Sequence, residues 1–207
     1  MAEHFYYTLQ NPTEGSYKEK GSKFLAFAYP VDSETDIKQK IDSLKKVYFD
    51  ARHHCYAWML GVDKKTFRAF DDGEPNHSAG DPILGQIRSK NLTNVLIVVV
   101  RYFGGIKLGV GGLIGAYKAA AEDALNNGSI VEREVTETIM LSFDYLLTSD
   151  VMRIIKELDL KILNQDFSDA CGMVLSVPLK QNEKLLTRLQ LIKAMHKSID
   201  WKVSNDE

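Results

Sequence analysis

The densest group of residues able to do chemistry lies between Arg101 and Gly112, where the sequence reads RYFGGIKLGVGG. Glycine lets backbone N–H groups turn toward a ligand, and the start of the helix predicted to follow adds roughly half a positive charge. Arg101 supplies a planar, forked cation and Lys107 a point charge. Together these features predict an anion-binding cradle. The glycines that we assign to it are Gly104, Gly105, Gly109, Gly111 and Gly112.

The charge distribution supports a local site. Between Pro82 and Ala121 the sequence has five basic residues and no Asp or Glu, although the 207-residue chain has a net charge of −2. A binder of polyanions that used its whole surface would be strongly basic.

The alternative interpretation is that the glycines only permit a tight turn and close packing. The segment matches neither a P-loop nor a dinucleotide fingerprint, since Ile114 stands where the last glycine is needed.

Three further side chains are candidates for the same site. His53 and His54 fall in a predicted strand, where neighbouring side chains point to opposite faces, so they cannot readily share one metal ion. His53 can share a face with Cys55, which we interpret as a buried structural thiol. Tyr102, with Phe103 beside it, can stack on a nucleic-acid base, although such pairs commonly serve as core.

An acidic loop offers a second kind of chemistry. Asp71, Asp72 and Glu74 are close in sequence, and hard oxygen ligands of this kind can hold Mg²⁺. Asp-Asp-Gly followed by Glu-Pro is also typical of turns. We favour the turn and predict no metal or other cofactor, with Mg²⁺ as the alternative.

The elements that position these residues can be read from the apolar pattern. A hairpin is predicted from Tyr17–Lys20 and Lys23–Val31. Ser33 caps a helix whose buried stripe is Ile37, Ile41, Leu44 and Val47. Val95–Val100 has no polar face, which indicates a central strand covered on both sides.

Two helices flank that strand in the sequence. Asp81, followed by Pro82, predicts an N-cap and a short helix to about Ser89. After the glycines, Leu113–Asn127 is strongly helical, with Gly128 placed to end it. The unit is therefore strand, glycine loop and helix.

From about Glu134 the pattern changes to a βαββαβ order, with strands at Val135–Phe143, Lys161–Asp166, Ala170–Pro178 and Ser198–Val203. Helices are predicted from Thr148 or Ser149 to Leu158 and over Glu183–Met195. This order suggests a ferredoxin-like sandwich. The sequence thus predicts an α+β protein with two domains, residues 1–133 and 134–207.

Two widely separated cysteines, Cys55 and Cys171, cannot form a disulfide framework. The first residues lack a basic stretch followed by an apolar run, and no apolar segment is long enough to span a bilayer. We expect a cytoplasmic protein with no membrane partner.

Five stretches of the sequence resemble the YigZ/IMPACT family, in the family's order over Gly21–Ala121. They are GSKFLA, ARHHCYAW, FDDGEP, SAGDPIL and NVLIVVVRYFGGIKLGVGGLIGAY. The resemblance implies an N-terminal domain like the second domain of ribosomal protein S five, with a left-handed βαβ crossover. It implies a C-terminal domain like domains three and five of elongation factor G.

The family is associated with control of translation. Our leading hypothesis is a non-catalytic, translation-associated protein whose first domain binds RNA or a ribosomal or translation-factor surface through the glycine-rich turn. One alternative is an Mg²⁺-dependent enzyme acting on a phosphorylated metabolite or nucleotide. Another is a protein-interaction module that docks through its C-terminal domain.

Overall fold

The computed structural model describes residues 4–167, 171–196 and 198–204, and it has a mixed α/β architecture. The chain forms two compact units. The N-terminal unit is Tyr6–Arg133, and the C-terminal unit begins at Glu134 and includes Phe5 at the start of the chain.

The N-terminal unit is built around a five-stranded sheet. Its elements are β1 (Phe5–Leu9), β2 (Thr13–Glu19), β3 (Ser22–Pro30), α1 (Glu34–Val47), β4 (His53–Leu60), β5 (Thr66–Phe70), α2 (Gly80–Ser89), β6 (Val95–Tyr102), α3 (Gly109–Asn126) and β7 (Ile130–Glu134). The sheet has the order β2-β3-β6-β4-β5, and β1 pairs with β7 in a separate two-stranded sheet. The predicted hairpin is confirmed as β2 and β3, which pair from Thr13 to Glu19.

Strand β6 is central, as its composition predicts. Val95–Val100 is fully buried, at 0% exposure for every side chain. On one face α1 packs through Ile37, Ile41 and Leu44, and on the other face α2 and α3 form a second core. Val47 does not join this stripe and is 63% exposed. A helix turns about 100° per residue, which places Val47 about 80° away from Ile37.

The starts of two helices show what local sequence does and does not determine. The Ser33 hydroxyl accepts a hydrogen bond from the Asp36 amide at 3.2 Å, so the predicted cap of α1 is confirmed. The cap predicted at Asp81 is wrong. Helix α2 begins at Gly80, and its leading amides are capped from a distance by Asp71, whose Oδ1 lies 2.8 Å from the Gly80 nitrogen.

The glycine-rich segment is more helical than predicted. Helix α3 begins at Gly109 instead of Leu113, so Gly109, Gly111 and Gly112 lie in its first turn and only Gly104 and Gly105 lie in the loop. The low helix propensity of glycine is overridden here by the burial of the later, alanine-rich part of α3 against the sheet.

The C-terminal unit follows the predicted βαββαβ order. Its elements are β8 (Thr136–Phe143), α4 (Thr148–Glu157), β9 (Lys161–Asp166), β10 (Cys171–Pro178), α5 (Leu179–His196) and β11 (Ile199–Ser204). The sheet order is β11-β8-β10-β9, with antiparallel pairing throughout. Both helices share one core with the sheet. Helix α5 starts directly after Pro178, earlier than predicted, and the predicted strand start at Ala170 lies outside the described residues.

Across the described residues, no helix combines the length and the apolar character that crossing a membrane requires.

Candidate functional site

A cavity of about 410 Å³ lies where β6 ends and the glycine-rich segment begins. We call it the Arg101 cavity. Its polar and aromatic lining consists of Arg52, His53, Glu74, Arg101, Phe103 and Lys107. Three cations and one carboxylate thus face the same space, so the lining has an excess of positive charge.

Arg101 is not the free cation that the sequence predicts. Its Nη1 lies 2.5 Å from Glu74 Oε1, and the two residues are only 7% and 8% exposed. Glu74 comes from the acidic loop, so that loop does face the end of β6. Residues 82–121 contain no Asp or Glu, but in the folded protein a carboxylate from outside this segment pairs with one of its cations. The Arg101 Nε is buried and has no hydrogen-bond partner among the described residues.

Behind this ion pair lies a buried chain of polar groups. The Tyr117 hydroxyl donates to Glu74 Oε1 at 2.8 Å, and the Cys55 thiol lies 3.3 Å from the Tyr117 oxygen. Burial raises the pKa of both the Cys55 thiol and the Tyr117 phenol. Both groups therefore stay protonated, and Cys55 is the buried structural thiol that we predicted and not a thiolate nucleophile.

Lys107 and the start of α3 form another part of the cavity wall. Lys107 is exposed and lies in the loop between β6 and α3, and Leu108, Gly109 and Val110 line the cavity where α3 begins. No side chain caps this helix start, and no acidic residue occupies its first turn. The leading amides and the helix dipole are thus available for a negative group.

The glycines of the predicted cradle have different roles. Gly104 packs against the β2–β3 hairpin so closely that an added Cβ would lie 1.9 Å from the Gly21 carbonyl carbon. Gly105 and Gly109 have φ values of +91° and +73°, a conformation that other residues rarely adopt. At Gly111 an added Cβ would meet nothing within 4 Å. Packing within the chain therefore does not require a glycine at Gly111.

The two histidines separate as predicted. His53 lines the cavity; its Nδ1 lies 2.8 Å from the Asp72 carbonyl oxygen and its Nε2 4.0 Å from Glu74 Oε1. His54 does not line the cavity. Its Nε2 is buried and has no hydrogen-bond partner in the part of the chain that the structure describes, and burial lowers the pKa of its imidazole.

Tyr102 also lies away from the cavity. Its hydroxyl donates to Asp50 Oδ1 at 2.8 Å, which raises its pKa, and its ring packs against the core beneath α1. Phe103 lines the cavity instead. The alternation of side chains at the end of a strand is the signal that separates these two aromatics.

The acidic loop holds its own backbone and the neighbouring strand. Asp71 accepts hydrogen bonds from the amides of His77, Ala79 and Gly80, and Asp72 accepts from the His54 amide at 2.7 Å. With Glu74 paired to Arg101, the three carboxylates are not arranged to share one Mg²⁺. In the part of the chain that the structure describes, no three His, Cys, Asp or Glu side chains are grouped as a metal site.

Sequence reasoning did not assign two members of this site. Tyr117 lies on the buried face of α3, and the pattern of an alanine-rich helix gives no sign that its hydroxyl meets a carboxylate. Arg52 precedes β4 and reaches Phe103, with its Cζ 5.9 Å from the ring centroid. Both contacts join residues about 40 or more positions apart in the chain, which is why no local spacing reveals them.

The site therefore belongs to an α/β protein whose N-terminal unit presents a cation-rich cavity at the start of a glycine-containing helix. Comparison with known proteins gives the family. A family model described as the Impact N-terminal domain matches residues 20–125. The chain is 37% identical over 142 residues to the IMPACT family member YvyE of Bacillus subtilis, a match covering 69% of this chain and 65% of that protein.

Other relatives agree. The IMPACT family member YigZ of Escherichia coli is 33% identical over 150 residues, covering 72% of this chain and 74% of that protein. A crystal structure described as that of an hypothetical protein is 26% identical, with a TM-score of 0.76 over 100% of both chains. This chain belongs to the IMPACT family, which confirms the resemblance seen in its motifs.

Proposed function

We propose that this protein is a cytoplasmic, translation-associated regulator whose N-terminal unit binds RNA at the Arg101 cavity. The translation role rests on family membership, since the family is associated with control of translation. The observation that carries RNA binding is the charge of the cavity, which has three cations against one carboxylate in a chain of net charge −2. Such a local excess attracts a polyanion where the whole surface does not.

The uncapped start of α3 adds to this attraction. Arg101 is held in place by Glu74, so it presents a fixed cation, while Lys107 is exposed and can follow a phosphate. Charged groups that are already in position lose less conformational entropy when they bind. We assign phosphate contacts to Lys107 and the first amides of α3, and orientation of the ligand to Arg101.

Lys107→Glu tests this proposal. We expect weaker binding of RNA, with the slope of log K against log salt concentration lowered by about 0.7 to 1 for the lost phosphate contact. The matched control is Lys202→Glu, the same charge change at an exposed position of β11. Fluorescence anisotropy of labelled RNA at several salt concentrations measures both. Equal affinities for wild type and Lys107→Glu would refute the proposal, and a loss confined to Lys202→Glu would move the site to the C-terminal unit.

The two alternatives have less support. An Mg²⁺-dependent enzyme would need free carboxylates, whereas Asp71, Asp72 and Glu74 are each engaged with the protein. A docking module would need an apolar face, whereas the sheet face opposite α4 and α5 pairs Met140 with Lys202. That face therefore has both apolar and charged side chains.

We also propose the fold assignments that the family implies. In the N-terminal unit, β3 and β4 both run antiparallel to β6 between them, so α1 connects two parallel strands, as a domain like the second one of ribosomal protein S five requires. In the C-terminal unit, the order β11-β8-β10-β9 supports a ferredoxin-like sandwich like domains three and five of elongation factor G.

A further inference from the structure

The Arg101 cavity has two chemical characters that a phosphate site alone would not need. Beside its cations it has an aromatic ring, Phe103, and the aliphatic side chains of Leu108, Val110 and Leu113. Its volume of about 410 Å³ is within the range of sites that hold small organic molecules. The cavity therefore suits a ligand that joins a flat apolar body to an anionic group.

Phe103 is placed to meet such a body. Its ring is 43% exposed, although an aromatic ring normally gains free energy by burial. Two guanidinium groups lie near it, with Arg52 Cζ at 5.9 Å and Arg101 Cζ at 5.8 Å from the ring centroid. Aromatic rings and guanidinium planes are the surfaces on which unpaired bases stack.

The guanidinium of Arg101, beside Phe103, is held in a fixed orientation. Glu74 holds its Nη1, and Tyr117 holds Glu74 from behind, so the guanidinium is supported by buried contacts. The Nε, which these contacts leave without a partner, is a donor that the protein itself does not satisfy. A buried donor in this state favours a ligand that brings an acceptor.

The part of the cavity lined by Lys107 and the start of α3 suits the sugar and phosphate. Lys107 and the uncapped start of α3 supply positive charge next to the aromatic wall. At Gly109, which lines the cavity, an added Cβ would meet nothing within 4 Å, so a ligand can approach the start of the helix closely. The size of the cavity admits one nucleotide, and a base paired within a duplex cannot present its face to Phe103.

We propose that the Arg101 cavity binds one unstacked nucleotide of a single-stranded RNA, with the base against Phe103 and its phosphate at Lys107 and the start of α3. This inference rests on the proposed RNA binding and specifies its form. Stacking on an aromatic side chain strengthens binding about 5- to 150-fold per base, and it tolerates different sequences because every base has a π face. We therefore expect a preference for single strands without strong sequence specificity.

The test uses the full chain and two labelled probes, a twelve-residue oligouridylate and a twelve-base-pair RNA duplex, in fluorescence anisotropy. We expect tighter binding of the single strand. Phe103→Leu should weaken that binding about 5-fold or more, while Phe103→Tyr should retain it, because tyrosine preserves the stacking surface. The matched control is Phe67→Leu, since Phe67 is also exposed, at 46%, with an arginine over its ring.

Each outcome decides between the two proposals. If Phe103→Leu binds the single strand as wild type does, or if wild type prefers the duplex, the inference is overturned while RNA binding through Lys107 stands. If wild type binds neither probe, both proposals fail. A loss in Phe67→Leu equal to that in Phe103→Leu would show a general effect of removing a surface ring and would also overturn the inference. Tryptophan fluorescence melting of each variant confirms that the fold is intact.

Discussion

The two units of this protein differ in what they bury. In the residues described, all eight buried polar or charged side chains belong to Tyr6–Arg133, among them Glu74, Arg101 and His54. The core of the C-terminal unit is made of apolar side chains and one cysteine, and its charged pairs, such as Arg188 with Glu157, are on the surface. Burying charge costs free energy unless each group is paired. The N-terminal unit bears that cost, and it also contains the candidate site.

The two sheets also differ in how far they are covered by other elements. The five-stranded sheet is covered on both faces, and the end of β6, the acidic loop and the start of α3 together line a cavity. Among the described residues, the four-stranded sheet contributes one face to a core, and the side chains of β10 alternate between buried and partly buried. Charged side chains of that unit, such as Arg188 and Glu157, are partly exposed to water. Enclosure is therefore what makes a preorganised charged site feasible in one unit.

The largest expected effect compares an arginine of each unit. Arg101→Leu leaves Glu74 buried without its cation and should lower the free energy of unfolding by about 3 to 5 kcal/mol. Arg188→Leu removes a half-exposed ion pair and should cost at most about 1 kcal/mol. Urea unfolding followed by fluorescence measures both, because Trp58 lies in one unit and Trp201 in the other. The backgrounds Trp201→Phe and Trp58→Phe isolate each signal.

The double variant Arg101→Leu with Glu74→Gln is the control for this pair. It removes the stranded charge and keeps an acceptor for the Tyr117 hydroxyl, so part of the stability should return. Equal losses for Arg101→Leu and Arg188→Leu would show that the buried polar groups do not distinguish the units.

A smaller effect is expected on the stability of the N-terminal unit as the pH is lowered. Because burial lowers the pKa of His54, the unfolded chain binds a proton at higher pH than the folded one. The stability contributed by neutral His54 is complete above pH ~6.5 and is lost as pH falls toward the folded pKa, by at most about 1.4 kcal/mol per pH unit. Urea unfolding at pH 7.5 and 5.5, followed through Trp58, measures the loss. His54→Gln should reduce the pH dependence of that signal and leave the Trp201 signal unchanged; an unaltered Trp58 dependence would contradict the assignment.

The smallest effect concerns the two long helices. Helix α3 has four glycines, whereas α5, also of 18 residues, has none. Gly111→Ala should raise the free energy of unfolding by about 0.5 to 1 kcal/mol, because its φ is not positive and the added methyl meets open space. Gly104→Ala, which would clash with Gly21, is the destabilising counterpart. A loss of stability in Gly111→Ala would mean that this glycine has a structural role within the chain.

Much of the fold could be predicted because the patterns that encode it are local. The unbroken apolar run of Val95–Val100 marks a strand buried on both faces, and the Ser33 hydroxyl reaches an amide three residues away. The cap of α2 could not be predicted in this way, since Asp71 reaches it across a loop. The short strands β1 and β7 were also missed, because neither has a distinctive pattern and they pair with each other across more than 120 positions of the chain.

Part of the candidate site could be predicted for the same reason. Arg101, Lys107 and the glycines are neighbours in the sequence, and His53 is separated from His54 by strand alternation. The place of Glu74 could not be predicted, because loop residues 27 positions away give no local sign of which cation they will meet. Tyr102 and Phe103 both have the right chemistry, and only the end of β6 determines which ring lines the cavity.

The sequence by itself determined most of the secondary structure, the central strand, the family and the local excess of basic residues, because each depends on residue types at short spacing. The tertiary structure alone decided that Arg101 is paired with Glu74, that Phe103 instead of Tyr102 faces the cavity, and that the amides of α3 open beside Lys107. Charge and stacking act through space over a few ångströms, and the distance between two such groups is set only when the sheet and its helices have packed.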